Sequence, residues 1–306
     1  MSMFRGIIPP ICTPLDEERR VDVRSLEALV EHHLRAGVHG LFALGSTGEA
    51  IYLTDADRRV VLDVVVGTVA GSVPVFAGAL DASTARTVDQ VRWVSHYRID
   101  ALVVTAPFYA NVSPAEIVTH FTTVAAAAHA PVLAYDIPGN VGKKLAAATS
   151  VELLASGVLG GLKDSSGNMD DFLKILAALP EQPARTSSIF TGSDARALEY
   201  LDAGADGIVP GIGNICAQWF VELWNAHRAG DRDGAQRAQQ LITAMTEVFP
   251  IGEHHGLGRH ASELGGLKTV LAHDGLTSSS QVSLPLSRMP AVAAAEVLDL
   301  IGRMRP

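Results

Sequence analysis

The run Val158-Leu159-Gly160-Gly161-Leu162-Lys163 is apolar until it ends on a cation, and Asp164-Ser165-Ser166-Gly167-Asn168 follows it as a polar turn. A run of that length, bounded by glycine and polar residues, predicts a strand. The same pattern recurs over residues 6–11, 40–44, 73–78, 101–105, 131–135, 188–191 and 207–209, which makes eight runs. Nearly continuous apolarity, rather than alternation, marks parallel strands buried on both faces. Amphipathic stretches separate them. In residues 23–35, Leu26, Leu29, Val30 and Leu34 share one face, and residues 54–69, 83–96, 114–128 and 170–179 read similarly. Thr54, Ser113 and Asn168 are helix-capping residues at the heads of such stretches, and Pro114 suits a first helical turn.

Eight strand–helix pairs in roughly 230 residues match the length of a (β/α)8 TIM barrel, an α/β fold of one closed parallel sheet. A doubly wound open sheet is the alternative, and eight regular pairs favour closure. Residues 234–249, 260–273 and 292–304 then predict three helices with no strands between them. The expected division is a barrel over residues 1–230 and a C-terminal helical extension over 231–306.

Composition narrows the function. The 306 residues are 48% hydrophobic, enough for a large core, and the formal net charge is −9. That charge argues against a nucleic-acid or anionic-membrane partner. No apolar run reaches the roughly 18 residues that a membrane span needs. Residues 1–14 are broken by Pro9, Pro10 and Pro14, so no signal peptide is expected. Cys12 and Cys216 lack CxxC spacing and fit a reducing, cytoplasmic compartment.

The chain has five lysines, Lys143, Lys144, Lys163, Lys174 and Lys268, and only Lys163 ends a strand-like run. Removing water from an amine favours its neutral form, and a neutral amine attacks carbonyl carbon to form a Schiff base. The alternative is a lysine whose stem packs while its charge reaches solvent.

In TIM barrels the chemistry lies where strands end. The second run is followed by Gly45-Ser46-Thr47-Gly48-Glu49, whose glycines allow a sharp turn and whose N–H and hydroxyl groups suit a carboxylate or phosphate. It is either such a nest or a plain strand-to-helix turn, and it lacks the nucleotide P-loop pattern. Pro107-Phe108-Tyr109 follows the fourth run and Tyr135 ends the fifth. Two tyrosines on the face of a strand-end lysine fit a proton relay, because Schiff-base formation moves protons on and off oxygen and nitrogen. Asp194, in Gly192-Ser193-Asp194, is either the cap of a helix over residues 195–203, the preferred reading, or a ligand for substrate hydroxyls.

Four of these motifs together, Gly45-Ser46-Thr47-Gly48-Glu49, Pro107-Phe108-Tyr109, Tyr135-Asp136-Ile137-Pro138 and Gly161-Leu162-Lys163-Asp164, resemble the dihydrodipicolinate synthase / N-acetylneuraminate lyase superfamily in order and spacing. The resemblance covers residues 5–275. It implies a homotetramer built as a dimer of dimers. It also implies a Schiff base between Lys163 and pyruvate or another 2-keto acid, with Tyr135 as proton shuttle. Ser46 and Thr47 would bind the pyruvate carboxylate, and Ser46 would link Tyr135 to Tyr109. Tyr109 would reach into a neighbouring subunit's site, and Val209 would lie beside pyruvate.

Three departures bear on the substrate. Asn140 stands where dihydrodipicolinate synthases carry an arginine for the second substrate's carboxylate, and an amide cannot make that bidentate charged pair. Ser46 is the lyase-like choice at the first hydroxyl position, yet Ala195 replaces a glutamate that sialic acid lyases direct at sugar hydroxyls. The expected activity is therefore a pyruvate-dependent aldolase or lyase for a 2-keto-3-deoxy sugar acid or similar compound. Asn140 and Asp194 are the candidate contacts for its hydroxyls. The alternatives are 4-hydroxy-tetrahydrodipicolinate synthase, which joins pyruvate to aspartate semialdehyde, and a catalytically silent keto-acid binder. No cofactor is expected, since an iminium is its own electron sink. Glu253, His254, His255 and His260 fit no metal-ligand spacing and read as a polar turn. Arg19 and Arg20, among Asp16, Glu17 and Glu18, read as a solvated loop.

Overall fold

The structure, a computed structural model, describes residues 4–304. Its strands are β1 (Gly6–Ile7), β2 (Leu41–Ala43), β3 (Val75–Gly78), β4 (Ala101–Thr105), β5 (Val132–Asp136), β6 (Gly161–Asp164), β7 (Ser188–Thr191) and β8 (Gly207–Ile208). All pair in parallel, in the order β1-β8-β7-β6-β5-β4-β3-β2. Closure falls between β1 and β2. There Ile11 N–H donates to Phe42 O and Phe42 N–H to Pro9 O, each at 2.9 Å. The eight runs thus become a closed (β/α)8 barrel. The predicted first strand shrinks to two residues because Pro9 and Pro10 lack the N–H that a ladder needs. β6 starts at Gly161 rather than at residue 158, because Gly157 turns the chain with φ +76° and Leu159 N–H bonds back to Leu153 O.

The helices of the barrel are α1 (Val23–Arg35), α2 (Asp55–Val69), α3 (Thr84–Val94), α4 (Pro114–Ala127), α5 (Pro138–Val141), α6 (Ala147–Ala155), α7 (Met169–Ala178), α8 (Ala197–Asp202) and α9 (Gly213–Ala229). Their starts follow local chemistry. Thr54 and Ser113 close reciprocal capping boxes with Asp57 and Glu116, and Asn168 accepts the Asp171 N–H.

Side chains fill the barrel interior. Phe76 on β3 meets Phe190 on β7 edge to face at 6.1 Å, and Phe42 on β2 meets Tyr135 on β5 at 6.4 Å. Neither pair sits on neighbouring strands, so both contacts reach across the interior. The interior is a packed core, as the architecture requires.

Beyond the barrel lie α10 (Arg232–Met245), α11 (Ile251–His254), α12 (Arg259–His273) and α13 (Ala291–Met304). Ile242, Met245 and Val297 share one apolar cluster with the barrel's Leu41 and Val103. α12 is buried along almost its whole length. Irregular chain over residues 276–290 runs from α12 to α13 as a strap. It crosses the β1–α1 connection, where Ser279 Oγ donates to Glu17 at 2.8 Å, Arg19 Nε to Val282 O at 3.3 Å and Arg288 to Glu17 at 2.9 Å. The charged loop expected to be merely solvated is therefore exposed but clamped by the strap.

At the opposite end of the strands, Asp206 accepts Arg185 Nη2 at 2.7 Å, the Ile189 N–H at 2.9 Å and Gln182 Nε2 at 3.1 Å. Both ions of this pair are buried. Replacing Asp206 by Ala strands the Arg185 charge, which typically costs about 3–5 kcal/mol. Urea denaturation should show that loss, and a loss under roughly 1 kcal/mol would count against the pair.

Candidate active site

The strand ladder sets the register of the candidate residues. Thr105 on β4 pairs with Tyr135 on β5, Tyr135 with Lys163 on β6, and Lys163 with Phe190 on β7. Lys163 is 4% exposed, and its ammonium lies 4.1 Å from the Tyr135 ring centroid and 5.2 Å from that of Phe42. Ring faces attract cations at such distances. Space for the lysine stem comes from Gly192. A Cβ there would overlap Ser165 Oγ and stand 3.3 Å from Lys163 Cε.

The Ser46–Thr47 loop follows β2. Both residues are half-buried. Leu44 (φ +57°) and Glu49 (φ +59°) bracket the loop in the left-handed region, which is uncommon for side chains of that size. Bare Gly78 admits it, since a Cβ there would overlap the Leu44 carbonyl. Thr47 and Asp194 face the same space: a Cβ built on Gly211 would stand 3.5 Å from Asp194 Oδ2 and 3.9 Å from Thr47 Oγ1. Val209, two residues before Gly211, is buried, with its N–H on Thr191 O at 2.8 Å.

Asp194 is not the cap of the following helix. α8 starts at Ala197 with Arg196 at its head and no side-chain cap. The Asp194 carboxylate instead accepts the Ile212 N–H at 3.0 Å, tying the end of β7 to the loop after β8. Its other oxygen, Oδ1, is buried and has no hydrogen-bond partner among the described residues. Burial pushes its carboxyl up to about 7, against the opposing pull of the Ile212 N–H, Lys163 and the Gly211 N–H.

Asn140 and Tyr109 stand further out. Asn140 is exposed on α5. Tyr109 is 90% exposed on the β4–α4 connection. The two lysines near Asn140 are engaged: Lys143 donates to Asn111 Oδ1 at 2.9 Å and to Val112 O, and Lys144 pairs with buried Asp136. Burial raises the Asp136 carboxyl even against that ammonium.

A profile of the dihydrodipicolinate synthetase family matches residues 3–301. The chain belongs to the dihydrodipicolinate synthetase family. It is 32% identical to an uncharacterized DapA-like lyase of Halobacterium salinarum, with 88% of each chain covered. It is 28% identical to a 4-hydroxy-tetrahydrodipicolinate synthase of Anaeromyxobacter, covering 99% of this chain and 98% of that one. Among solved structures, the prophage protein YagE of E. coli K12, in complex with pyruvate, superposes with a TM-score of 0.91 at 25% identity and 99% coverage of both chains. A dihydrodipicolinate synthase of Bacteroides thetaiotaomicron gives 0.91 at 27%. Family members are class I lyases and synthases that form a Schiff base with pyruvate, and this chain is an enzyme of that class.

Several contacts around this family site escape sequence reading. Phe42 reaches the lysine from four strands away, and Asp194 finds its partner beyond β8. Lys268, buried within α12, was legible only as a lone cation in the apolar stretch of residues 264–271. Two of the C-terminal histidines pair with carboxylates, His255 with Glu296 at 2.9 Å and His260 with Glu263 at 3.9 Å.

The raised Asp194 carboxyl has a signed consequence. Below about pH 4 both folded and unfolded chains hold the proton, and the group is neutral for stability. As pH rises from there through about 7, the unfolded chain releases the proton while the fold keeps it, so stability falls. Asp194→Asn removes this slope. Its stability relative to the native chain should grow between pH 4 and 8 by an amount on the order of 4 kcal/mol. Urea denaturation at both pH values checks this, and a difference that stays constant would contradict a raised carboxyl.

Proposed function

We propose that the protein is a pyruvate-dependent aldolase or lyase acting on a 2-keto-3-deoxy sugar acid or a similar 2-keto acid. The observation that carries the reading is the strand-end pair Lys163–Tyr135, an amine buried against the face of a phenol with no competing ion pair among the described residues. The Lys163 amine attacks the keto carbon, a C–N bond forms, and the keto oxygen leaves as water. The resulting iminium accepts the electrons of the C3–C4 bond, one carbon removed from the iminium carbon, as that bond breaks, giving an enamine and an aldehyde. Tyr135 gives its proton to the departing keto oxygen, takes one from the C4 hydroxyl that becomes the aldehyde, and passes it to the enamine carbon; water then hydrolyses the iminium and frees pyruvate and Lys163. Ser46 and Thr47 hold the carboxylate, and Val209 bounds the pyruvyl methyl side. No metal or other cofactor enters this scheme.

In this reading residues 1–230 carry the chemistry and residues 231–306 brace it. We place the enzyme in the cytoplasm as a homotetramer, a dimer of dimers. The 90% exposure of Tyr109 supports a role across a subunit contact, completing a relay through Ser46. No helix among the described residues is long and apolar enough to cross a membrane.

Borohydride reduction in the presence of pyruvate should add the pyruvate-derived mass to Lys163, read by peptide mass spectrometry. Lys163→Ala and Lys163→Arg should gain nothing and show no turnover. Tyr135→Phe should still fold and lose about 10²–10⁴-fold in rate. A labelled native chain with the adduct elsewhere, or an active Lys163→Ala, overturns the scheme.

The second substrate divides the proposal from its alternative, condensation of pyruvate with aspartate semialdehyde. Asn140 cannot replace a guanidinium, and Lys143 and Lys144 are already bonded to Asn111, Val112 and Asp136. A missing charge-assisted contact is worth on the order of 1.5–3 kcal/mol, or roughly 10–150-fold. In a panel of aldehydes, neutral hydroxyaldehydes should therefore exceed aspartate semialdehyde in kcat/KM. Asn140→Arg should narrow the gap. A native kcat/KM above about 10⁴ M⁻¹s⁻¹ for the semialdehyde would establish the alternative.

A further inference from the structure

Lys268 and Glu49 are two ions withdrawn from water, 1% and 0% exposed. The Lys268 ammonium contacts the Glu49 carboxylate and also donates to Gln281 O at 2.8 Å. Glu49 Oε2 accepts the Ser283 N–H at 2.7 Å. A buried ion pair is a poor way merely to glue a helix onto a barrel, because apolar side chains of similar volume do that as well or better. What an ion pair supplies is geometry, and the place where it acts is informative. Glu49 is the last residue of Gly45-Ser46-Thr47-Gly48-Glu49 and sits at φ +59°. Its N–H closes the turn onto Ser46 O at 3.0 Å, and the next N–H, of Ala50, bonds to Gly45 O at 3.2 Å. The Thr13 hydroxyl donates to Gly48 O at 2.8 Å from the other side. The conformation that aims Ser46 and Thr47 is therefore set at Glu49. Glu49 is in turn held by α12 and the strap.

We infer that Lys268 is a positioning residue for the carboxylate-binding loop: with Glu49 it forms a latch through which the C-terminal extension fixes Ser46 and Thr47. The inference rests on the assignment of those two hydroxyl residues to the substrate carboxylate. Lys268 touches no substrate. It acts by denying the loop alternative placements, and a displacement of even an ångström at a binding group weakens its work severely.

The test compares two carbonyl probes, pyruvate and propanal, trapped on Lys163 by borohydride and read by intact mass over a concentration series. Propanal forms the same kind of Schiff base without a carboxylate. In Lys268→Met the half-saturating pyruvate concentration should rise about tenfold or more, whereas that of propanal should stay within roughly twofold of native. Lys268→Arg, which keeps the charge, should fall closer to native for pyruvate. Should Lys268→Met fail to fold, Lys268→Gln keeps a donor for Gln281 O without the charge and should show the same selective rise. A folded variant with unchanged pyruvate trapping overturns the latch. So does an equal rise for both probes, which would mean a general loss of structure at the site. A native chain that traps neither probe overturns the Schiff-base reading itself. One that traps both equally well overturns the carboxylate role of Ser46 and Thr47, and the latch with it.

Discussion

The site depends on holding one amine inside a barrel that is otherwise filled with rings and aliphatic chains. Burying an ammonium costs several kcal/mol, and a ring face offsets about 2 kcal/mol of it. Lys163 has two such faces, from Tyr135 and Phe42. The Asp194 carboxyl in turn feels the field of Lys163. The two rings come from different strands, β5 and β2. The barrel must therefore close in a single register before any of them acts on the lysine. Closure between Pro9–Ile11 and Phe42 is thus coupled to the site, because Phe42 is both a closing residue and a ring under the ammonium.

Local chemistry was legible in the sequence wherever it was decided locally. The strands Ala101–Thr105 and Ser188–Thr191 and the helix Val23–Arg35 occur as their hydrophobic periodicity predicts. The caps Thr54, Ser113 and Asn168 work within three residues of themselves. Errors arose where distant chain competes for a group. Asp194 has the side chain of a helix cap, yet the loop after β8 presents the Ile212 N–H to it first. The Arg19–Arg20 loop has the composition of a solvated turn, yet a strap some 260 residues later bonds to it. Periodicity carries no information about such partners.

The Glu49–Ser283 bond spans 234 residues and illustrates the same limit for function. The motif around Ser46 and Thr47 is readable as an anion-binding turn, but nothing in it says how the turn is held. Two left-handed non-glycine residues, Leu44 and Glu49, show that the backbone there does not relax by itself into its preferred state. Such a conformation persists only when its surroundings over-determine it. The buried pair with Lys268, the Ser283 N–H, the Thr13 hydroxyl and the gap at Gly78 are those surroundings. On the latch reading, the helical extension is therefore part of the site, although it begins after the last strand.

Specificity lies at the outer edge of this arrangement, where the constraints end. Inward from Tyr135, ladder register and packing fix each group. Outward from it, the chain leaves β5 through α5, a helix of four residues with no buried side chain. The charges around α5 are engaged, Lys144 with Asp136 at the end of β5 and Lys143 with the β4–α4 connection. Asn140 is exposed beside them. A carboxylate on the second substrate would have to pull one of these lysines from its partner, and in the case of Lys144 it would leave the buried Asp136 carboxylate uncompensated. A neutral polyhydroxylated chain asks for no such exchange, because amide and carboxyl groups bond to hydroxyls with the charges left where they are. In the proposed reading, the electrostatics at the rim thus favour an uncharged partner for pyruvate before any direct contact is considered.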